Sequence, residues 1–538
     1  MSRYRANVAQ SLADLESWVR RNNPFVALPR GIRRFLRRPR SMQLRTLVVA
    51  LAAIVGLLVY LLDAPSSTSG STGGLGSLGA TTGPATQLLA DVSAAPAAGG
   101  TPVDQASTST RGVTAKSITV AFPVANLSGL SSQLGFAGDV EFSEQVKAIK
   151  LFVSDINSHG GINGRKINPV ITSFDPTSET GMRALCKDWT EGSPAAFAVL
   201  DGADAWTGDN ELCVAQEGQT PFVGAWTTVT NYTQTASPYL WWTGPDQAAV
   251  LAAVVQWGQS SGLLGGSRKV GIVAGDRASD QEALNQYLLP DLRNIGVTAN
   301  VQTIASNVAD SATTQAEAPL VVEKLKAAGV NSVIPLLPFN AFFPVLQAEN
   351  QQTYYPKLLL SDYEGSIESA LGLIPLPYEQ ALNGQEGVTT ETLGGFDDAR
   401  PEAQGGYDTG VRGCFNTWHA AYPKPPKGNE SFYIEEQGPI AGWCQEIKLF
   451  AQAATMAGKD LNRRTFVQAM SRITNFPGTW YTILSYSPTK MYGPTQYQIV
   501  SLHNNVPPSS ACKLKTNHKP QGTCWVVQEG YKPLPPVP

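Results

Sequence analysis

The stretch Asp155–Asp175, DINSHGGINGRKINPVITSFD, restricts the fold of this chain more than any other. Ahead of it and into it, Phe142, Val146, Ile149, Phe152 or Val153, and Ile156 recur at steps of three and four, the single stripe of an amphipathic helix. Gly160-Gly161 tolerates positive φ and ends that helix at little cost. Asn163-Gly164 is a strong tight-turn pair. Lys166–Phe174 then has the β-branched content of a strand, closed by Asp175-Pro176. Upstream, Ser117–Phe122 (SITVAF) reads as another strand, so the local order is strand, helix, turn, strand.

The same alternation continues. Short apolar runs fall at Ala196–Leu200, Pro221–Ala225, Tyr239–Thr243, Lys269–Ala274, Val297–Ile304, Ser332–Leu337 and Lys357–Leu360. Gly387–Thr392 is extended and Tyr497–His503 is a late strand. Helical stripes fall between them and at Tyr407–Tyr422 and Ile440–Ala457. Repeated strand–helix alternation predicts an α/β fold, with parallel sheets covered by helices on both faces. With 538 residues, 42% of them hydrophobic, the chain can fill more than one core.

Charge is unevenly spread. Residues 1–45 carry eleven Arg against Asp14 and Glu16, in a chain of net charge −3. The remainder is therefore acidic, which argues against nucleic acid as a partner, since phosphate needs a basic face. The basic block precedes Leu47–Leu62, sixteen apolar residues without a charge. That length lies between a signal h-region (about 7–15) and a spanning helix (about 17–25). No good cleavage site follows, so residues 46–63 read as an uncleaved signal anchor or transmembrane helix, with a cleaved signal as the alternative. Positive-inside logic puts the basic segment 1–45 in the cytoplasm and the rest outside the cell membrane. Residues 64–112, rich in Ser, Thr, Gly, Ala and Pro and free of aromatics, read as a disordered tether.

Cys186, Cys213, Cys414, Cys444, Cys512 and Cys524 form no CxxC motif. An even count beyond a membrane segment reads as disulfides in an oxidising compartment. Many pairings are open; nearness along the chain suggests Cys186–Cys213, Cys414–Cys444 and Cys512–Cys524. Catalytic signals are weak. The four histidines, His159, His419, His503 and His518, show no metal-ligand spacing. No G-x-S-x-G, H-E-x-x-H or G-x-x-x-x-G-K-[ST] occurs. The chain is read as neither an enzyme nor a holder of metal or cofactor.

ITVAFPVANLSG, then a helix, then DINSHGGINGRKI and a strand ending in FDPT, resembles the opening of type I periplasmic binding proteins of the Leu/Ile/Val-binding kind. The resemblance is strong over this first unit and weaker toward residue 500. It implies two Rossmann-like lobes joined by a three-strand hinge, a ligand-binding domain over 113–505. Crossings would fall near Tyr239–Thr243, Gly387–Thr392 and Phe476–Trp480. Lobe 1 would be about 117–243 and 392–475, lobe 2 about 244–388 and 476–505, and 506–538 a Cys- and Pro-containing tail outside the family's core. The implied function is an extracytoplasmic solute-binding protein of an ABC-type importer. It would capture an amino acid, amide or similar small polar solute by hinge closure and pass it to a membrane permease. A membrane-tethered sensor ectodomain uses the same fold, but residues 1–45 are too short for a signalling domain, so a partner would carry the signal.

Parallel α/β sheets bind ligands beyond the carboxyl ends of their strands. This singles out Ala125–Ser128, Asp201–Trp206 and Trp226–Thr228 in lobe 1, and Asp276–Ser279, Phe339-Asn340 and Asp362–Glu364 in lobe 2. The ligand-binding candidates are Ser128, Asp204, Trp206, Trp226, Thr227, Thr228, Asp276, Asn340, Asp362 and Glu364. By the resemblance, Thr227 and Thr228 match the threonine loop that holds a ligand carboxylate. The sequence Ser361-Asp-Tyr-Glu364-Gly365 resembles the loop whose acid takes the ammonium, by Glu364 with Asp362 as the alternative. The lobe 1 loop departs from the family: Asp201-Gly-Ala-Asp204-Ala-Trp206 stands where a Ser-rich loop is usual. Carboxylate facing carboxylate is unfavourable where water is excluded. The acids thus favour a ligand bearing a cationic group, on which Trp206 or Trp226 would stack.

Overall fold

The computed structural model describes residues 101–126, 142–175, 178–193, 195–201, 210–225, 229–307, 310–363, 379–391, 409–422, 432–506 and 522–537. All of them fall in one unit, Pro96–Pro538. The expected anchor at 46–63 and most of the expected tether lie outside the described residues. Among the described residues no helix is long and apolar enough to cross a membrane.

The first lobe opens as its sequence requires. Strand β1 (Ser117–Ala125) leads to helix α1 (Phe142–Ser158), which buries Ala148, Ile149, Phe152 and Val153. In the turn that follows, Gly160, Gly161, Asn163 and Gly164 all have positive φ. Ile162 and Arg165 exchange backbone hydrogen bonds across the turn at 2.8 and 2.9 Å. At Gly161 a Cβ would lie 2.1 Å from the Arg165 carbonyl oxygen, so only glycine fits. Strand β2 (Lys166–Phe174) runs parallel to β1 in register from Ser117↔Lys166 to Ala125↔Phe174. Helix α2 (Glu179–Thr190), β3 (Ala198–Asp201), β4 (Phe222–Gly224) and β5 (Leu240–Trp242) complete a five-stranded parallel sheet of order 2-1-3-4-5.

The second lobe repeats that plan. It comprises α3 (Gln247–Ser260), β6 (Val270–Gly275), a helical run from Ala278 to Asn294, and β7 (Ala299–Ile304). Next come α4 (Ser311–Ala327), β8 (Ser332–Leu336), α5 (Phe339–Gln351), β9 (Lys357–Ser361) and β10 (Glu386–Thr389). The parallel strands lie in the order β7-β6-β8-β9-β10, the same winding as in lobe 1. One apolar core packs under α4 and α5, another under α3 and the 278–294 run, so both faces are covered.

After β10 the chain returns to lobe 1 with α6 (Thr409–Ala421), α7 (Phe432–Met456) and α8 (Arg463–Met470). Helix α7 starts two turns before the expected Ile440. Helix α8 had no counterpart in the sequence reading, although Asn462 caps it, accepting from the Thr465 N–H at 3.1 Å. The short pair β11 (Phe476–Pro477) and β12 (Ile483–Leu484) follows. The third crossing was expected at Phe476–Trp480. In the structure, Phe476, Tyr481, Leu484, Tyr486, Met491 and Tyr492 all bury in the lobe 1 core. That burial keeps the chain in lobe 1 until residues 493–495, from which β13 (Gln496–Val506) enters the lobe 2 sheet antiparallel to β10. Beyond Val506, set apart as a tail, β14 (Gly522–Pro533) pairs antiparallel with β13 and forms the edge of the same sheet.

Residues 101–112 are not the disordered end of the expected tether. Val103 and Ala106 are buried in the lobe 1 core, the Ser107 N–H donates to Tyr239 Oη at 2.6 Å, and the Arg464 N–H donates to the Ser107 carbonyl at 2.8 Å. Two small apolar side chains in an otherwise polar segment are enough to dock it.

Disulfides join Cys186 to Cys213, with Cα atoms 6.3 Å apart, and Cys414 to Cys444, at 5.9 Å. The first clips α2 to the helical segment before β4; the second clips α6 to α7. Cys512 lies outside the described residues, so the third expected pair does too.

Candidate functional site

In both lobes the winding order reverses beside the first strand, between β1 and β3 and between β6 and β8. Crevices open at such points beyond the carboxyl ends of the strands. The two lobes touch near the first crossing. There the Asn231 N–H of lobe 1 donates to Glu282 Oε1 of lobe 2 at 3.1 Å.

The lobe 2 ends are organised by one carboxylate that the sequence reading did not select. Asp280 is fully buried. Its oxygens accept from Arg277 Nε (2.8 Å) and Nη2 (2.7 Å), Tyr363 Oη (2.7 Å) and Ser306 Oγ (2.8 Å). Asp280 thereby ties the loops after β6, β7 and β9 together. Gly275 permits this: a Cβ there would sit 2.0 Å from Asp280 Oδ2. Ser306 is the second hub. Its N–H donates to Asp276 Oδ1 at 3.0 Å, and its carbonyl accepts from Asn340 Nδ2 at 3.0 Å. Asp276 and Asn340, both expected at the site, are thus brought together by a serine at the end of the outermost parallel strand. Asn340 is buried, and its Oδ1 meets no donor among the described residues. The bond from Nδ2 to the Ser306 carbonyl fixes which end of the amide is which.

Asp362, the third described candidate, faces the hinge. Its Oδ2 accepts from the Thr390 N–H and hydroxyl at 2.6 Å each. Glu391 lies beside it, bridged antiparallel to Tyr481 of the returning chain. Burial pushes the Asp362 carboxyl up to about 6. Burial, and then the Asp362 charge, hold Glu391 well above the usual carboxylate range. The first and third crossings are joined at Trp242↔Tyr492. Here the Asp246 carboxyl accepts from Thr230 Oγ1 at 2.6 Å and caps α3 through the Ala248 N–H at 2.8 Å.

Ser128, Asp204, Trp206, Trp226, Thr227, Thr228 and Glu364 lie outside the described residues. Asp280 and Ser306 were missed for an identifiable reason. Asp280 follows Arg277 by one helical turn, a spacing that reads as a surface pair, and nothing local in Ser306 marks it.

Two equally wound α/β lobes joined by repeated crossings define the architecture of a two-lobe binding protein. The chain belongs to the periplasmic binding protein family, which it matches over residues 124–500. The family's fold is that of solute-binding proteins, which is not an enzyme class. Solved structures agree. A fatty-acid ABC transporter substrate-binding protein from Thermomonospora curvata superposes with TM-score 0.55 at 17% identity, over 78% of this chain and 93% of that one. An ABC transporter solute-binding protein from Rhodopseudomonas palustris BisB5, in complex with 3,4-dihydroxybenzoic acid, gives 0.55 at 14%, over 78% and 99%. A leucine-binding protein from Thermotoga maritima MSB8 gives 0.52 at 13%, over 72% and 95%. At these identities the likeness is one of fold. No curated protein matches the sequence.

Proposed function

We propose that this chain is the extracytoplasmic solute receptor of an ABC-type importer, held at the membrane by residues 46–63. It captures a small solute between its lobes and presents the closed form to a permease. The observation that carries this reading is the pair of identically wound sheets, β2-β1-β3-β4-β5 and β7-β6-β8-β9-β10, within a match to the periplasmic binding family. Such lobes close on a ligand by bending at their crossings. The protein itself performs no covalent step.

The solute we propose is zwitterionic or amine-bearing. Thr227 and Thr228 hold its carboxylate and Glu364 its ammonium, with Ser128, Asp204, Trp206 and Trp226 completing the lobe 1 side. Support comes from lobe 2. Asp276, Asp280 and Asp362 outnumber Arg277 at the strand ends, and Asn340 Oδ1 is a buried acceptor suited to an N–H or O–H donor. Asp362 already serves Thr390, which favours Glu364 for the ammonium.

A thermal-shift screen of amino acids, amines and simple carboxylic acids against the whole protein, followed by calorimetry on Glu364→Gln, tests the assignment. Loss of a buried ammonium partner costs about 2–5 kcal/mol, more than tenfold in affinity. Unchanged affinity in that variant, or tight binding of an acid without an amine, overturns it.

A further inference from the structure

The end of the chain does more than close the lobe 2 sheet. Strand β14 runs antiparallel to β13, so its end points back toward lobe 1. The pairing Tyr497↔Lys532 and Gln496↔Pro533 continues past the sheet. The Leu534 N–H donates to the Thr495 carbonyl at 2.9 Å, inside the third crossing. Leu534 packs against both the lobe 1 core and the lobe 2 core under α3. Pro535 is buried, Val537 packs on the lobe 1 core, and its N–H bonds the Tyr492 hydroxyl.

We infer that Leu534–Val537 is a fourth connection between the lobes, a splint laid along the third crossing that restricts how far the lobes move apart. A segment bonded beside a hinge strand must bend with it or detach. This one is anchored at both ends, by the β13 ladder in lobe 2 and by Val537 in lobe 1. Pro533, Pro535 and Pro536 each fix φ near −65°, so the segment resists bending. Any change of lobe angle must therefore either strain a stiff segment or pull Leu534 and Val537 from their packing.

The inference requires only that the lobes move; it does not depend on the solute proposed above. Nitroxide labels on cysteines introduced at the exposed Glu179 of lobe 1 and Glu323 of lobe 2 report the interlobe distance by electron double resonance on the full chain without solute. Deleting residues 534–538 is expected to broaden the distance distribution and move it to longer values. Val537→Ala, which removes the side-chain packing of the lobe 1 anchor but keeps its backbone bond to Tyr492, should produce a smaller shift in the same direction and serves if the deletion fails to fold. Distributions that coincide with that of the unaltered chain in a folded variant overturn the inference.

Discussion

The Oδ2 atom of Asp362 accepts hydrogen bonds from both the backbone N–H and the hydroxyl of Thr390, each at 2.6 Å. Asp362 directly follows β9, one residue before Tyr363 and two before Glu364. Thr390 begins the second crossing, and its carbonyl accepts from the Thr482 N–H of the returning chain at 3.0 Å. A single carboxylate thus links a proposed ligand loop to the hinge.

That link is sensitive to pH, and its sign follows from the raised pKa of the pair. Asp362 titrates near 3.8 when unfolded and at about 6 when folded, so the folded state holds more protons in that window. Its contribution to stability is present below the unfolded value and lost as pH rises to about 6. Glu391, also raised by burial and by the Asp362 charge, adds to the loss. Glu391→Gln should flatten the fall in stability as pH rises through about 6. Urea unfolding across that range checks it; an unaltered slope counts against the pairing.

Glu349 is buried in α5 with no hydrogen-bond partner for either carboxylate oxygen among the described residues. Burial raises it from 4.5 to about 8. The same sign holds: its contribution is lost as pH rises through about 8. Glu349→Met should stabilise the protein at alkaline pH by on the order of 2 kcal/mol and by less in acid. Equal effects at both ends of the pH range would rule out the charge as the cause.

Removing the lobe 1 disulfide with Cys186→Ala and Cys213→Ala should cost about 3 kcal/mol in the chain-entropy model, since it releases a loop of 27-residue separation. Chemical denaturation of the double variant against the oxidised parent measures this. A change within experimental error would show that α2 and the segment before β4 are held by packing alone.

A chain truncated to begin at Thr101 should melt with the full-length protein, whereas one beginning at Val113 should be less stable by about 2 kcal/mol. The loss reflects exposure of the site filled by Val103 and Ala106. Calorimetry on the two fragments decides it; equal melting would mean that the segment rests on the lobe without supporting it.

Local physics made the first βαβ unit legible. A 3.6-residue stripe, two glycines and an Asn-Gly pair leave little choice of helix, turn or strand over Phe142–Phe174, and the structure follows. The apolar runs likewise disclosed the central parallel strands, because strands buried on both faces must be apolar throughout. Nearness along the chain suggested the two disulfides seen.

What the tertiary structure decided involves residues far apart in sequence. Asp280 gains its role only when Arg277, Ser306 and Tyr363 converge on it, and Ser306 carries no mark of that role in its neighbourhood. Residues 101–112 look like tether by composition, yet a site in lobe 1 takes Val103 and Ala106. The third crossing moved from residue 476 to residues 493–495 because six side chains between Phe476 and Tyr492 find their burial in lobe 1. The tail became β14 because β13 offered an open edge, and an edge strand needs little apolar pattern of its own to pair. Periodicity reports which residues seek burial; only the assembled sheets and hinge determine where each one finds it.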